Sequence, residues 1–453
     1  MLGDRQGWMM ERSAAVVRPT ESDPVQPSIA KDGDKDKSLG VGQKMPATVD
    51  STTQNERTGR GRRYWPQIAT AILVPVLLLG VTEGALRLFG VGFPTELTVP
   101  CTVKGTAAAC YNLFFPAPFF PPGMIKTPQA YAIPAEKPQR IYRIFVLGES
   151  AAMGDPDPAH AFSRYLEVML RERYPSLKFE VVNTGSVAIN SHVLLPIAKG
   201  LAEQRPDVFI IYSGNNEVVG PYGPGTALTS SAMSLPIIRA SIFVRSTCRP
   251  NSDQGRNTKQ QWRGMEMFLD KQVPESSPLM KYAYDNFEKN LRDTVAVARR
   301  SGARVIVSTV ATNLKDCGPF SSLHREDLSQ VDLHSWTALV QQGSEQESSR
   351  SFDNALHLYL AASKIDDQCA ELEFRIARSL WMLGNYAGAK EYFLRARDLD
   401  TLRFRADSKI NDINRSVASS SPGAELVDAE AIFSQERTNW RWRLRLSRRT
   451  WFD

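Results

Sequence analysis

From Ile141 onward, short apolar runs alternate with longer segments of helical period. The runs are "IYRIFVL" (141–147), "FEVVN" (179–183), "DVFIIY" (207–212), "ARVIVS" (303–308) and "AELVDA" (424–429). Runs of this length suit strands, whereas Phe162–Tyr174, Ser191–Gln204 and Tyr282–Ser301 carry apolar residues at three- and four-residue steps. The alternation predicts a parallel sheet covered by helices on both faces. Between Gly220 and Met280 the pattern lapses into an irregular insert, "GPYGPGTALTSSAMS…". An insert of that length beside strand ends is usually functional or partly disordered.

Upstream the pattern differs three times. Residues 1–63 are rich in Asp, Lys, Ser, Thr and Gly with no hydrophobic period, which predicts a disordered tail. In 64–91 the stretch "IATAILVPVLLLGV" (Ile68–Val81) is uncharged, and with its flanks it reaches the ~20 residues that span a bilayer. Arg57, Arg60, Arg62 and Arg63 precede it and Trp65 sits at its edge. The positive-inside bias then places the N-terminus in the cytoplasm and the rest across the inner membrane, as a single-pass anchor rather than a cleaved signal. Residues 92–140, with "FFPAPFFPPG", read as a tether that packs along the following domain.

The gap between the fourth and fifth predicted strands holds a repeat. Phe352, Ala355, Tyr359, Ala362, Ile365 and Asp366 recur thirty-four residues on as Tyr386, Ala389, Phe393, Ala396, Leu399 and Asp400. The period and the alternation of small residues with aromatics resemble the tetratricopeptide repeat, which implies a helical insert over 332–402. The helical stretch after it, "LRFRADSKINDINRSVA", would cap the array.

Net charge alters little. Of the formal +6, the segment Glu436–Asp453 supplies six arginines against two acids, so the remainder is close to neutral. No basic face, and no nucleic-acid partner, is expected. Cys101 and Cys110 lie nine apart and could close a small loop; free thiols fit the sequence equally well. No spacing matches a metal site, and no cofactor is expected.

Sites in open parallel sheets form outside the carboxyl ends of the strands. "GES" follows the first strand with Ser150, "NTGSVAINS" the second with Gly185, and "YSGNNEVVGPYG" the third with Asn215 and Asn216. A hydroxyl nucleophile, an open glycine N–H and an asparagine amide are what acyl transfer needs around a developing oxyanion. Together these segments resemble the SGNH, or GDSL-like, hydrolases, over about 141–313 and again over 403–433. The resemblance implies a flavodoxin-like three-layer α/β fold in two parts, 141–331 and 403–433, interrupted by the repeats. It implies Ser150 as nucleophile, with its own N–H, that of Gly185 and the amide of Asn216 as oxyanion donors. Glu149 and Glu217 stand where the family has Asp. The chain looks like a membrane-anchored bacterial branch whose main domain is periplasmic or extracellular and whose substrate is an acyl ester of envelope or carbohydrate material.

The family's last block, Asp-x-x-His after the fifth strand, does not appear. The histidines are His160, His192, His324, His334 and His357, and none follows Ala424–Ala429. His324, in the loop after the fourth strand, is the candidate substitute base. The tail 434–453, "SQERTNWRWRLRLSRRTWFD", begins where the missing block belongs and reads as a changed frame, or else as a membrane-surface segment. Two functions follow: a membrane-anchored serine esterase or acyltransferase, or a non-catalytic scaffold whose repeats hold a protein partner. A nucleotide-binding domain is a weaker third, since no Gly-rich phosphate loop follows the first strand.

Overall fold

The computed structural model describes residues 61–89, 94–121, 124, 128–228 and 264–438. The polar tail up to residue 60, the middle of the long insert and the Arg/Trp stretch from 439 lie outside them. The chain falls into two units that part at Ala69 and Thr70. Helix α1, Gly61–Leu88, runs through this point. Its segment Gln67–Leu86 is long and apolar enough to cross a membrane, and Leu73, Leu77 and Leu79 on it are 60–66% exposed.

The expected tether contains a small sheet. Strands β1, Thr98–Val103, β2, Thr106–Tyr111, and β3, Ala132–Pro134, pair antiparallel. Lys104 and Gly105 turn the first hairpin, both at positive φ (49° and 81°), a geometry whose twist matches that of the flanking strands. Cys101 and Cys110 form a disulfide across it. The proline cluster marks no loose linker, because its aromatics face inward: Phe115, Phe119 and Phe120 are buried in the main core.

The principal sheet has five strands: β4, Ile141–Gly148; β5, Lys178–Asn183; β6, Val208–Tyr212; β7, Arg304–Ser308; and β8, Ala424–Val427. Their order is β5-β4-β6-β7-β8 and every neighbouring pair is parallel. In β4 all residues from Arg143 to Gly148 are buried, as expected of a central strand flanked on both sides. The order of the strands reverses between β4 and β6, and such a switch point opens a crevice at the carboxyl ends.

Helices α2, Ser150–Met153, α3, Phe162–Arg173, α4, Ser191–Ala202, and α5, Pro278–Arg300, fill the crossovers. Five more occupy the gap before the last strand, the first four in the expected insert: α6, Gln330–Ser348; α7, Phe352–Ser363; α8, Ala370–Met382; and α9, Tyr386–Asp398. The residues with the 34-residue period include their contact positions. Ala355, Tyr359 and Ala362 are fully buried, and Ala389, Phe393 and Ala396 are at most 3% exposed. At Gly343 on α6 a Cβ would lie 2.5 Å from the Tyr359 ring, so α6 and α7 approach as closely as a glycine allows.

Helix α10, Ser408–Ser420, departs from expectation. It does not cap the repeats. Ile410, Ile413 and Val417 point into the core shared by β4, β6 and β7, and the helix packs on α5, β7 and β8. An apolar stripe at three- and four-residue steps serves a sheet face as well as a helix end, so the sequence alone left its partner undecided. Helix α11, Ala429–Thr438, follows β8 at once.

Candidate active site

The turn after β4 is packed too tightly for any residue but glycine. A Cβ on Gly148 would meet the Tyr212 carbonyl oxygen at 2.2 Å and the Ala152 Cβ at 2.5 Å. This contact draws the ends of β4 and β6 together beneath α2. Glu149 then turns its side chain inward, where it is fully buried. Ser150 opens α2 half-buried. Among the described residues nothing hydrogen-bonds its hydroxyl.

Glu149 joins this turn to the next. Its Oε1 accepts from the Ser213 hydroxyl at 2.6 Å and from the Gly214 N–H at 3.0 Å. Ser213 and Gly214 begin the turn after β6, which carries Asn215 and Asn216. Four residues past Ser213, Glu217 is likewise buried. It accepts from the Ser191 N–H (2.9 Å) and hydroxyl (2.6 Å) at the start of α4. The N-cap residue Asn190 makes no side-chain cap there, so Glu217 satisfies an N–H that the helix leaves free. Burial raises the pKa of Glu149 to about 7 against the hydrogen bonds that lower it. Burial, and then the charge of Glu149, raises Glu217 to about 8.

The expected oxyanion donors are placed as follows. Gly185 abuts α2: a Cβ there would lie 2.6 Å from the Met153 nitrogen, next to the turn of Ser150. Its N–H donates to Asn183 Oδ1 at 2.9 Å, and Asn183 in turn donates to the Ala152 carbonyl at 2.7 Å. Asn216 is buried and donates one amide hydrogen to the Ile189 carbonyl at 3.0 Å, which leaves its second hydrogen for another acceptor. Asn215 accepts from the Ala406 N–H at 3.2 Å, tying the turn to the segment before α10.

All five histidines lie within the described residues. His324 faces the helical insert: Nδ1 is 2.6 Å from Asp366 Oδ2, and its ring stands edge-on to Trp336 at 4.6 Å. His160 is 73% exposed, 3.3 Å from the Tyr165 hydroxyl and 3.7 Å from Asp157. His192 sits at the start of α4, 3.1 Å from the Asn290 amide and edge-on to Tyr222. His334 and His357 are exposed on α6 and α7.

Spacing alone gave no sign of how the two corresponding aspartates of the 34-residue period would be used. Asp366 holds His324, and Asp400 accepts from the N–H groups of Phe320 (2.9 Å) and Ser321 (3.2 Å). Both therefore fasten the loop that follows β7 to the insert. A cavity of about 180 Å³ opens beside that loop, between Ala311–Leu314, Arg397 and Glu430; Ser150 is not among its walls.

No protein-family model matches this chain, and no curated relative matches it. Among solved structures the chain is similar to that of TesA, at 14% identity and a TM-score of 0.23, over 49% of this chain and 73% of that one. It is similar to AlinE4, an SGNH-hydrolase family esterase, at 12% identity and a TM-score of 0.22, over 38% of this chain. The match spans 60% of AlinE4, less than two thirds of its length. A lipase from a goat rumen metagenome, Lip_vut3, is similar at 10% identity and a TM-score of 0.28, over 66% of this chain and 86% of that one.

Proposed function

We propose that the chain is a serine esterase or acyltransferase of SGNH type, anchored by α1 and acting on acyl esters. The observation that carries this reading is the coupling of two turns at the sheet's switch point. Ser150 follows β4, and the Gly214-Asn215-Asn216 turn follows β6 and bonds to the residue preceding Ser150. In the reaction Ser150 Oγ attacks the ester carbonyl, its hydroxyl proton passes to the leaving oxygen and the alcohol departs, giving an acyl-serine that water or an acceptor alcohol then resolves. The oxyanion takes hydrogen bonds from the Ser150 N–H and the free amide hydrogen of Asn216. Gly185 contributes its N–H if the Asn183 turn opens on binding. The helical insert, read as tetratricopeptide repeats, would present the site to a protein partner.

The test is labelling of the full, detergent-solubilised chain with a fluorophosphonate, beside its Ser150→Ala variant. Labelling of the wild type alone establishes the nucleophile; a folded wild type that resists labelling removes the esterase reading. A second reading is a binding scaffold on an inactive esterase domain. It is favoured by His324, the candidate substitute base, being held by Asp366 and Trp336 of the insert. Substituting Asp366→Ala frees this histidine, and labelling gained in that variant would mark His324 as a base in reserve.

A further inference from the structure

We propose that Glu149 and Glu217 are positioning residues that clamp the Gly214-Asn215-Asn216 turn from its two ends as one pair of buried acids. Its consequence for Ser150 rests on the esterase reading; the pair itself does not. Glu149 reaches the turn's entry through Ser213 and Gly214, and Glu217 fastens its exit to α4 through Ser191. Between these anchors lie both asparagines. Glu149 Oε1 accepts from Ser213 and Gly214, while its buried Oε2 has no hydrogen-bond partner among the described residues. A carboxylate with one oxygen unsolvated is costly when charged, and a second buried carboxylate at the far end of the neighbouring turn adds to that cost.

Among the described residues no cation pairs with either acid. Tyr212 on β6 is half-buried with a raised pKa, chiefly from desolvation, and the Glu149 charge contributes to that rise. From α5 Asn290 donates to the Ser191 hydroxyl and lies beside His192 of α4. From α10 comes the neutral amide of Asn414, donating to the Ser213 carbonyl. Burial without a compensating positive group favours the protonated form of each acid. Burial raises Glu149 to about 7, and burial followed by the charge of Glu149 raises Glu217 to about 8.

The sign is fixed by linkage. Each acid binds its proton more tightly in the folded chain than in the unfolded one, so its contribution to stability is present at pH 4 and is lost as pH rises toward 8. The experiment compares the full chain in detergent with Glu149→Gln, Glu217→Gln and the double variant, by urea unfolding and fluorophosphonate labelling from pH 5 to 9. The double variant should flatten the wild-type loss of stability with pH. Glu149→Gln should slow labelling of Ser150 about tenfold to a hundredfold at pH 8, since small misplacement of reacting groups costs that much. It should also remove the inflection near pH 7. If Glu149→Gln does not fold, Ser213→Ala serves: it deletes a hydrogen bond to the charged form and should move the inflection to higher pH. Coincident pH–stability curves for wild type and double variant overturn the pair. Labelling with an unchanged pH profile in Glu149→Gln overturns its positioning role. Absence of labelling in the wild type at every pH defeats the esterase reading alone, and the unfolding curves still decide the pair.

Discussion

Gly185 is the residue at which backbone space and chemistry meet most closely. Its missing Cβ lets the turn after β5 touch the Met153 backbone, so any larger residue pushes against the helix that carries Ser150. Gly185→Ala should destabilise the protein by about 1–3 kcal/mol, the usual range for overpacking, and should slow Ser150 labelling with it. Urea unfolding and labelling rates read the two effects separately; a stable variant with slowed labelling would place the strain in α2 alone. That Ser150 and Gly185 would lie at strand ends was legible because the apolar runs before them mark the strands. The inward turn of Glu149 was not legible, since an acid beside Ser150 looks the same in sequence whether it faces solvent or Ser213.

At the scale of elements, the loop after β7 depends on two carboxylates from outside the sheet. Asp400 is 3% exposed and accepts from Phe320, Ser321 and Leu402 while pairing with Arg405 at 2.8 Å. Asp400→Ala would strand the Arg405 guanidinium and three backbone donors. Removing one partner of such a buried pair costs about 3–5 kcal/mol, and limited proteolysis should then cut within 313–326. An uncut loop would show that Ser322, which accepts from the Glu371 N–H at 2.8 Å, holds it sufficiently. The 34-residue period was visible in sequence as apolar spacing. That its two aspartates grip a loop from another element was not, because each partner lies more than forty residues away.

For the whole molecule, the disulfide and α1 both bear on where the chain resides. The Cys101–Cys110 bridge closes a short hairpin, and for a loop of that length the unfolded-state constraint is worth about 2–3 kcal/mol. Replacing both cysteines by serine should lower stability by that amount, and dithiothreitol should have the same effect on the wild type; equal melting with and without reductant would show that the bridge does not form. If α1 spans a bilayer, the full chain should stay with the membrane pellet after alkaline carbonate. Leu77→Arg and Leu78→Arg together should release it, since each arginine at a helix centre costs about 2.5–3.5 kcal/mol.

The hydrophobic pattern by itself determined the strand sequence of the main sheet, the helical insert and the apolar span. Each of these rests on near-neighbour spacing, which the order of residues specifies directly. It also determined which turns would carry Ser150, Gly185 and Asn216, because strands of a parallel sheet end on one side. Tertiary structure alone decided the sheet in the expected tether, the seat of α10 on the main core and the engagement of His324 with the insert. It likewise decided the burial of Glu149 and Glu217. All of these depend on contacts between residues far apart in the chain, and the partner of a buried polar group is set by packing and not by its neighbours in sequence.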